Sequence, residues 1–174
     1  MNLREQPVPT SDLGDYLPHR APMVWVDEIL EVNQSTNGPQ GICRVVLGHD
    51  RAFHAADGSP RASTVVEWIA QAYGYVKAFH RRAGGFGVAG FGRAILVGIS
   101  DCEADLSGIE EEQSLLVHVR EMRNLHPAYV LEGSVTNEAG SRVYGKARLQ
   151  VFGGAELPEA VPGKNAATRP IQAI

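Results

Sequence analysis

Two side chains in one short stretch have the types and spacing for acid–base chemistry. In "AFHAADGSPRASTVVEWIAQAYGY", residues 52 to 75, His54 sits in an irregular loop. Glu67 follows thirteen positions later, inside an apolar run of Val65, Val66, Trp68 and Ile69. A carboxyl is costly to bury among such neighbours unless something holds it. Near the start of a helix, unpaired N–H groups and the positive end of the macrodipole favour the carboxylate, whereas a dry setting favours the acid. A base, an acid and backbone donors at one helix start suit removal of a proton beside a carbonyl, the donors holding the oxygen as it gains charge. A structural reading stands beside this one. Thr64-Val65-Val66-Glu67 fits the T-x-x-E capping box, in which Glu67 would accept from the Thr64 backbone N–H, and a lone histidine more often serves structure than catalysis. His19, His49, His80, His118 and His126 have no comparable setting and read as structural or surface residues.

The element that must carry Glu67 runs from about Ser63 to Arg82, with no proline and only Gly74 as a glycine. At the helical rise this spans about 30 Å. Its apolar residues fall on nearly every face, which is the pattern of a buried helix. Ahead of it, residues 10–17 predict a short helix closed by Pro18, "MVWVDEILEV" (23–32) a strand, "STNGPQG" a turn and "ICRVVL" (42–47) the returning strand. After it, strand-like runs cover 94–104, 114–123, 129–137 and 142–152, with "NEAGS" as the last hairpin turn. The order predicts an α+β domain over residues 1–152, one antiparallel sheet wrapped around one helix, and a flexible tail over 153–174. A helix this apolar needs more cover than one sheet gives, so a dimer is expected. "GFGVAG" (85–90) matches G-x-G-x-x-G, but a helix precedes it and a strand follows, the reverse of a dinucleotide site; it reads as a connector.

Composition narrows the function classes. The chain has 174 residues, 44% hydrophobic and 21% charged, with a formal net charge of −4, which argues against a nucleic-acid partner. Cys43 and Cys102 show no metal or redox spacing and read as reduced thiols. No HExxH, nucleophile elbow or phosphate loop is present, and no metal or cofactor is called for. Neither a signal peptide nor a membrane-length apolar run occurs, so a cytoplasmic protein is expected.

Three stretches carry a resemblance. "YLPHRAPMVWVDEILEV" (16–32) closely resembles the L-P-H-R-x-P-x-x-x-V-D-x-x-L opening of the β-hydroxyacyl-acyl-carrier-protein dehydratases. "EWIAQAYG" (67–74) resembles that family's E-A-x-A-Q-x-x-G on the central helix, and "LVGISDCEA" (96–104) is similar to the strand that follows. The likeness runs over roughly residues 12–152, and within the family the chain resembles the dehydratase-like proteins of aryl-polyene biosynthesis clusters. It implies a hotdog fold, a dimer, no cofactor, and loss of water from a 3-hydroxyacyl thioester on acyl carrier protein to give the trans-2-enoyl product. His54 would take the C2 proton and Glu67 protonate the departing C3 hydroxyl, the two coming from opposite subunits. A backbone N–H near the helix start would hold the thioester carbonyl. Gln71 matches the helix glutamine, an orienting residue.

The loop departs from the pattern. "HAADGSPRAS" lacks the family's two Pro-Gly elements and is one residue shorter, which leaves Gly58 as the candidate for close backbone approach to the substrate. A small misplacement there costs rate steeply. Two other readings therefore remain open: a non-catalytic or half-catalytic subunit pairing with a true dehydratase, as a homodimer or heterodimer of hotdog chains, and a thioesterase with Glu67 activating water. Arg81 and Arg82, at the helix end, would attract an acidic carrier protein or simply complement the helix dipole.

Overall fold

The computed structural model describes residues 7–13, 17–19, 21–48, 61–84, 94–110 and 113–153. The stretch 85–90 and everything after Gly153 lie outside them.

Helix α1, Ser63–Ala83, buries Val65, Trp68, Ile69, Ala72, Tyr73 and Val76, a three-and-four spacing along one side, and further buries Tyr75, Lys77 and Ala78 on others. Burial on so many sides is the outcome its sequence predicts. Its last turn carries His80, Arg81 and Arg82, favourable against the carbonyl end of the helix. The strands are β1 (Val8–Pro9), β2 (Glu28–Gln34), β3 (Pro39–Val46), β4 (Ala94–Ala104), β5 (Ser114–Leu125), β6 (Ala128–Asn137) and β7 (Val143–Gly153). They form one antiparallel sheet in the order β1-β2-β3-β5-β6-β7-β4. The four strands after the helix lie where the sequence alternation places them. Gly140, at φ +68° in the β6–β7 turn, has the left-handed conformation that hairpin requires.

Helix and sheet meet over three glycines. A Cβ on Gly133 would lie 2.7 Å from Ile69 Cγ2, one on Gly145 2.7 Å from Val65 Cγ2, and one on Gly41 2.7 Å from Val76 Cγ2. The branched side chains of α1 thus rest on the bare backbone of β6, β7 and β3. Around this contact Val32, Cys43, Val117, Leu131 and Leu149 complete the core, all fully buried. Burial pushes the Cys43 thiol well up, so it is an inert packing group.

Two expectations ahead of the helix are corrected. In the stretch 10–17 the described part of the expected helix, Thr10–Leu13, is a single 3-10 turn rather than an α-helix. The strand predicted from Met23 begins only at Glu28. Trp25 and Val26 are buried as a strand would bury them. Their backbones, however, bond outside the ladder: Trp25 N–H to a helix side chain and Val26 C=O to the Thr10 hydroxyl at 2.6 Å.

β4 is an edge strand, paired only with β7 among the described residues. Leu96 and Ile99 face the helix side, opposite the buried Val151 and Leu149. They nevertheless stay 39% and 52% exposed, at the edge of the sheet.

The opposite face of the sheet holds a concavity of about 680 Å³ that includes Arg120, Glu132, Lys146 and Arg148 and contains neither Glu67 nor Gln71. Its charges bond one another, as in Arg120 Nε to Glu132 at 2.6 Å and Lys146 to Glu103 at 3.1 Å. His118 lies within it, 3.3 Å from the Thr136 hydroxyl. Burial holds its pKa below the usual 6.5, against the opposing pull of Glu31. The folded state therefore binds this proton less readily than the unfolded chain. Its contribution to stability is intact above about pH 6.5 and is lost as pH falls through the lowered value. His80 shifts in the same sense, again chiefly by burial. Melting curves across this window should show stability falling towards acid, and His118→Gln should flatten the fall. An unchanged slope in the variant would exclude His118 as its source.

Candidate active site

Glu67 lies in the second turn of α1, where its side chain is 33% exposed. The capping box does not form: the helix starts at Ser63 behind Ala62, which has no polar side chain, and the Thr64 N–H donates to Arg61 C=O at 2.8 Å. Nor is the carboxyl in the dry setting its apolar neighbours suggested.

Gln71 holds it. One turn further along α1 and fully buried, Gln71 donates through Nε2 to Glu67 Oε1 at 2.8 Å and to Met23 C=O at 2.9 Å. Its own carbonyl accepts from Trp25 N–H at 2.9 Å. Because Met23 C=O can only accept and Trp25 N–H can only donate, the amide has one possible orientation. This clamp explains why the chain from Met23 to Trp25 stays off the sheet: its backbone is bonded to the helix at both residues, and the ladder is rejoined only from Asp27, whose N–H donates to Arg44 C=O at 2.9 Å. Trp25 Nε1 adds a bond to Pro22 C=O at 3.2 Å.

The same loop brings in a residue that the sequence reading left as structural. His19 Nε2 lies 3.4 Å from Glu67 Oε1, with the two side chains 34% and 33% exposed. Leu17 anchors the approach, since a Cβ on Gly74 would lie only 2.6 Å from Leu17 Cδ2. The available signal was that His19 belongs to the L-P-H-R stretch, the same stretch that carries the resemblance. Glu67, Gln71 and His19 thus come together on one side of the helix start. His54 and Gly58 lie outside the described residues. Among those described, no cluster of three or more His, Cys, Asp or Glu side chains could hold a metal ion. Among them too, no helix is long and apolar enough to cross a membrane.

Chemically, the arrangement offers a carboxyl with one oxygen engaged, open to solvent on one side and fixed by an immobile amide. Such a group can donate a proton in a defined direction.

Solved structures share this fold. A chain of the ApeI:P dehydratase heterocomplex of Xenorhabdus doucetiae superposes with a TM-score of 0.69 at 22% identity, over 84% of this chain and 91% of that one. Smu.793 of Streptococcus mutans UA159, solved bound to acetyl CoA, matches with a TM-score of 0.54 at 17% identity, over 78% of this chain and 93% of that one. The Escherichia coli PaaI protein of the phenylacetic acid degradation operon matches with a TM-score of 0.52 at 9% identity, over 74% of this chain and 78% of that one. No curated protein sequence matches the chain. These neighbours share the hotdog architecture of a sheet wrapped around one helix. The model of the ApeP-like family, described as ApeP dehydratase, matches residues 11–161, from within the 3-10 turn through strands β2 to β7 and beyond, and the chain therefore belongs to that family of dehydratase-type hotdog proteins.

Proposed function

We propose that the protein removes water from a 3-hydroxyacyl thioester carried on acyl carrier protein, giving the trans-2-enoyl thioester, with Glu67 as the acid and His54 as the base. The observation that carries this reading is the Glu67 carboxyl, fixed by Gln71 at the helix start in a chain of a dehydratase family. In the reaction the C2–H bond breaks towards His54 and its electron pair forms the C2=C3 bond. The C3–O bond breaks as Glu67 protonates the departing oxygen, and water leaves. The thioester carbonyl gains charge as the C2 proton departs, so backbone N–H groups near the helix start and the Gly58 loop would hold it.

A second reading has its own support: the chain works as one half of a pair with another hotdog protein. β4 presents an eleven-residue edge on which Ile95, Val97 and Ile99 are 52%, 60% and 52% exposed. A long apolar edge of this kind calls for a partner strand. The relative from Xenorhabdus doucetiae is a heterocomplex. Pairing along β4 would cover Leu96 and Ile99 and bring a second subunit's loop towards Glu67.

One experiment separates these readings. The purified chain is mixed with a 3-hydroxyacyl carrier protein, alone and after co-expression with a second hotdog chain, and the acyl mass is followed by mass spectrometry. Water loss by the chain alone is expected of an active homodimer. Water loss only with the second chain assigns it to a heterocomplex. Free thiol without water loss would replace dehydration by thioester hydrolysis.

A further inference from the structure

The approach of His19 to Glu67 carries a further inference, which rests on the proposed dehydration. Both polar neighbours of the Glu67 carboxyl meet the same oxygen. Gln71 Nε2 donates to Oε1 at 2.8 Å, and His19 Nε2 approaches Oε1 at 3.4 Å. Oε2 receives no bond from the described residues. We propose that His19 is a positioning residue: with Gln71 it pins Oε1, so that Oε2 is the oxygen that carries the proton and gives it to the C3 hydroxyl.

Two physical effects follow from this geometry. A carboxyl held through one oxygen by two neighbours is restricted in its rotation, so the other oxygen keeps one direction. The Oε2–H bond breaks as the leaving oxygen takes the proton, and negative charge then spreads over both oxygens. Donors already aimed at Oε1 bond more strongly to that carboxylate than to the neutral acid, so they favour the transition state over the ground state. Gln71 gives Oε1 a single N–H, because the other hydrogen of Nε2 is taken by Met23 C=O, so any second donor must come from elsewhere. His19 comes from a separate segment of the chain, on a loop fixed by Leu17 against Gly74 and by Met23 and Trp25 against Gln71. Its 3.4 Å separation is long for a hydrogen bond, and catalytic contacts of this kind tighten when substrate binds.

The test uses the full chain, with its partner subunit if one is required. His19→Ala should lower kcat for water loss by about tenfold with KM unchanged, the effect of losing one donor to a charged acceptor. His19→Gln, whose amide nitrogen falls near the position of Nε2, should recover most of that loss. Melting temperatures report whether either variant disturbs the fold. A folded His19→Ala with wild-type kcat, or a Gln variant no better than Ala, overturns the proposal. A second readout does not depend on turnover. In 15N spectra of the imidazole, Nε2 of His19 should carry the proton and its resonance should move in Glu67→Ala. If the wild type releases no water, the functional reading fails by itself. The spectrum then decides: a shifted Nε2 signal retains His19 as the holder of this carboxyl, and an indifferent one removes it.

Discussion

Glu67→Gln is expected to lower the rate of water loss by about a thousandfold, within the range that general acids contribute, while the melting temperature stays close to that of the wild type. The two halves of this expectation have separate causes. An amide cannot give a proton to the C3 oxygen, so hydroxide would have to leave unaided. The substitution keeps size and shape, its carbonyl can still accept from Gln71 Nε2, and the site is one-third exposed, so little folding energy is at stake. Single-turnover kinetics beside thermal melts check both. Full activity would remove Glu67 as the acid; a large loss of stability would make it a structural member of the Gln71 clamp. Mixing Glu67→Gln with His54→Ala adds a sharper test. If acid and base come from opposite subunits, each mixed pair holds one intact site, and activity should return on mixing two inactive proteins.

Lys77→Met is expected to destabilise the fold by about 3–5 kcal/mol, the cost of leaving a buried charge alone. Lys77 and Glu121 are 6% and 1% exposed and form an ion pair between α1 and β5; the Tyr73 hydroxyl donates to the same Glu121 oxygen. The Lys77 ammonium also lies 4.1 Å from the centroid of the Tyr129 ring. Burial lowers the Lys77 pKa, and the hydrogen bond and charge of Glu121 oppose that shift. Burial and Glu121 together push the Tyr73 hydroxyl far up, so it remains a donor. Gly38 closes the group: it stands at φ +147°, and a Cβ there would collide with the Glu121 carboxyl. Removing the lysine leaves that carboxylate with the tyrosine alone. Lys77→Met combined with Glu121→Leu should recover part of the loss, because an apolar pair of similar volume needs no desolvation, while the buried Tyr73 hydroxyl loses its acceptor. Denaturant titration of the three proteins measures this, and a single variant as stable as the wild type would refute it.

The helix and the four strands after it are legible because their patterns are uninterrupted. α1 carries apolar residues on nearly every face with no proline, β4 opens on an apolar run, and β5, β6 and β7 alternate over much of their length. The segment before β2 is not. Val24, Trp25 and Val26 have a strand's composition, and nothing local shows that Gln71, 46 positions on from Trp25, takes the Trp25 N–H. The capping box misleads for a related reason. Its spacing is right, but the helix begins one residue ahead of Thr64, which moves Glu67 into the second turn. The candidate site is half legible. Glu67 stands out as a charge in an apolar run, and Gln71 follows it by one turn. His19 is invisible to local reasoning, since its meaning depends on a contact across 48 positions of chain.

The seating of α1 on Gly41, Gly133 and Gly145 bears on how this scaffold can diversify. At these three positions the sheet has no side chain to give up, so the helix rests on backbone and would have to lift bodily to make room. Space for a longer, bulkier or more rigid acyl chain therefore cannot be gained there by trimming the sheet. It is more readily gained at the sheet's exposed edge, along β4 and towards whatever subunit docks there. Substrate range in such a protein is then a property of the pairing, and exchanging the partner chain would alter it more readily than mutating the core.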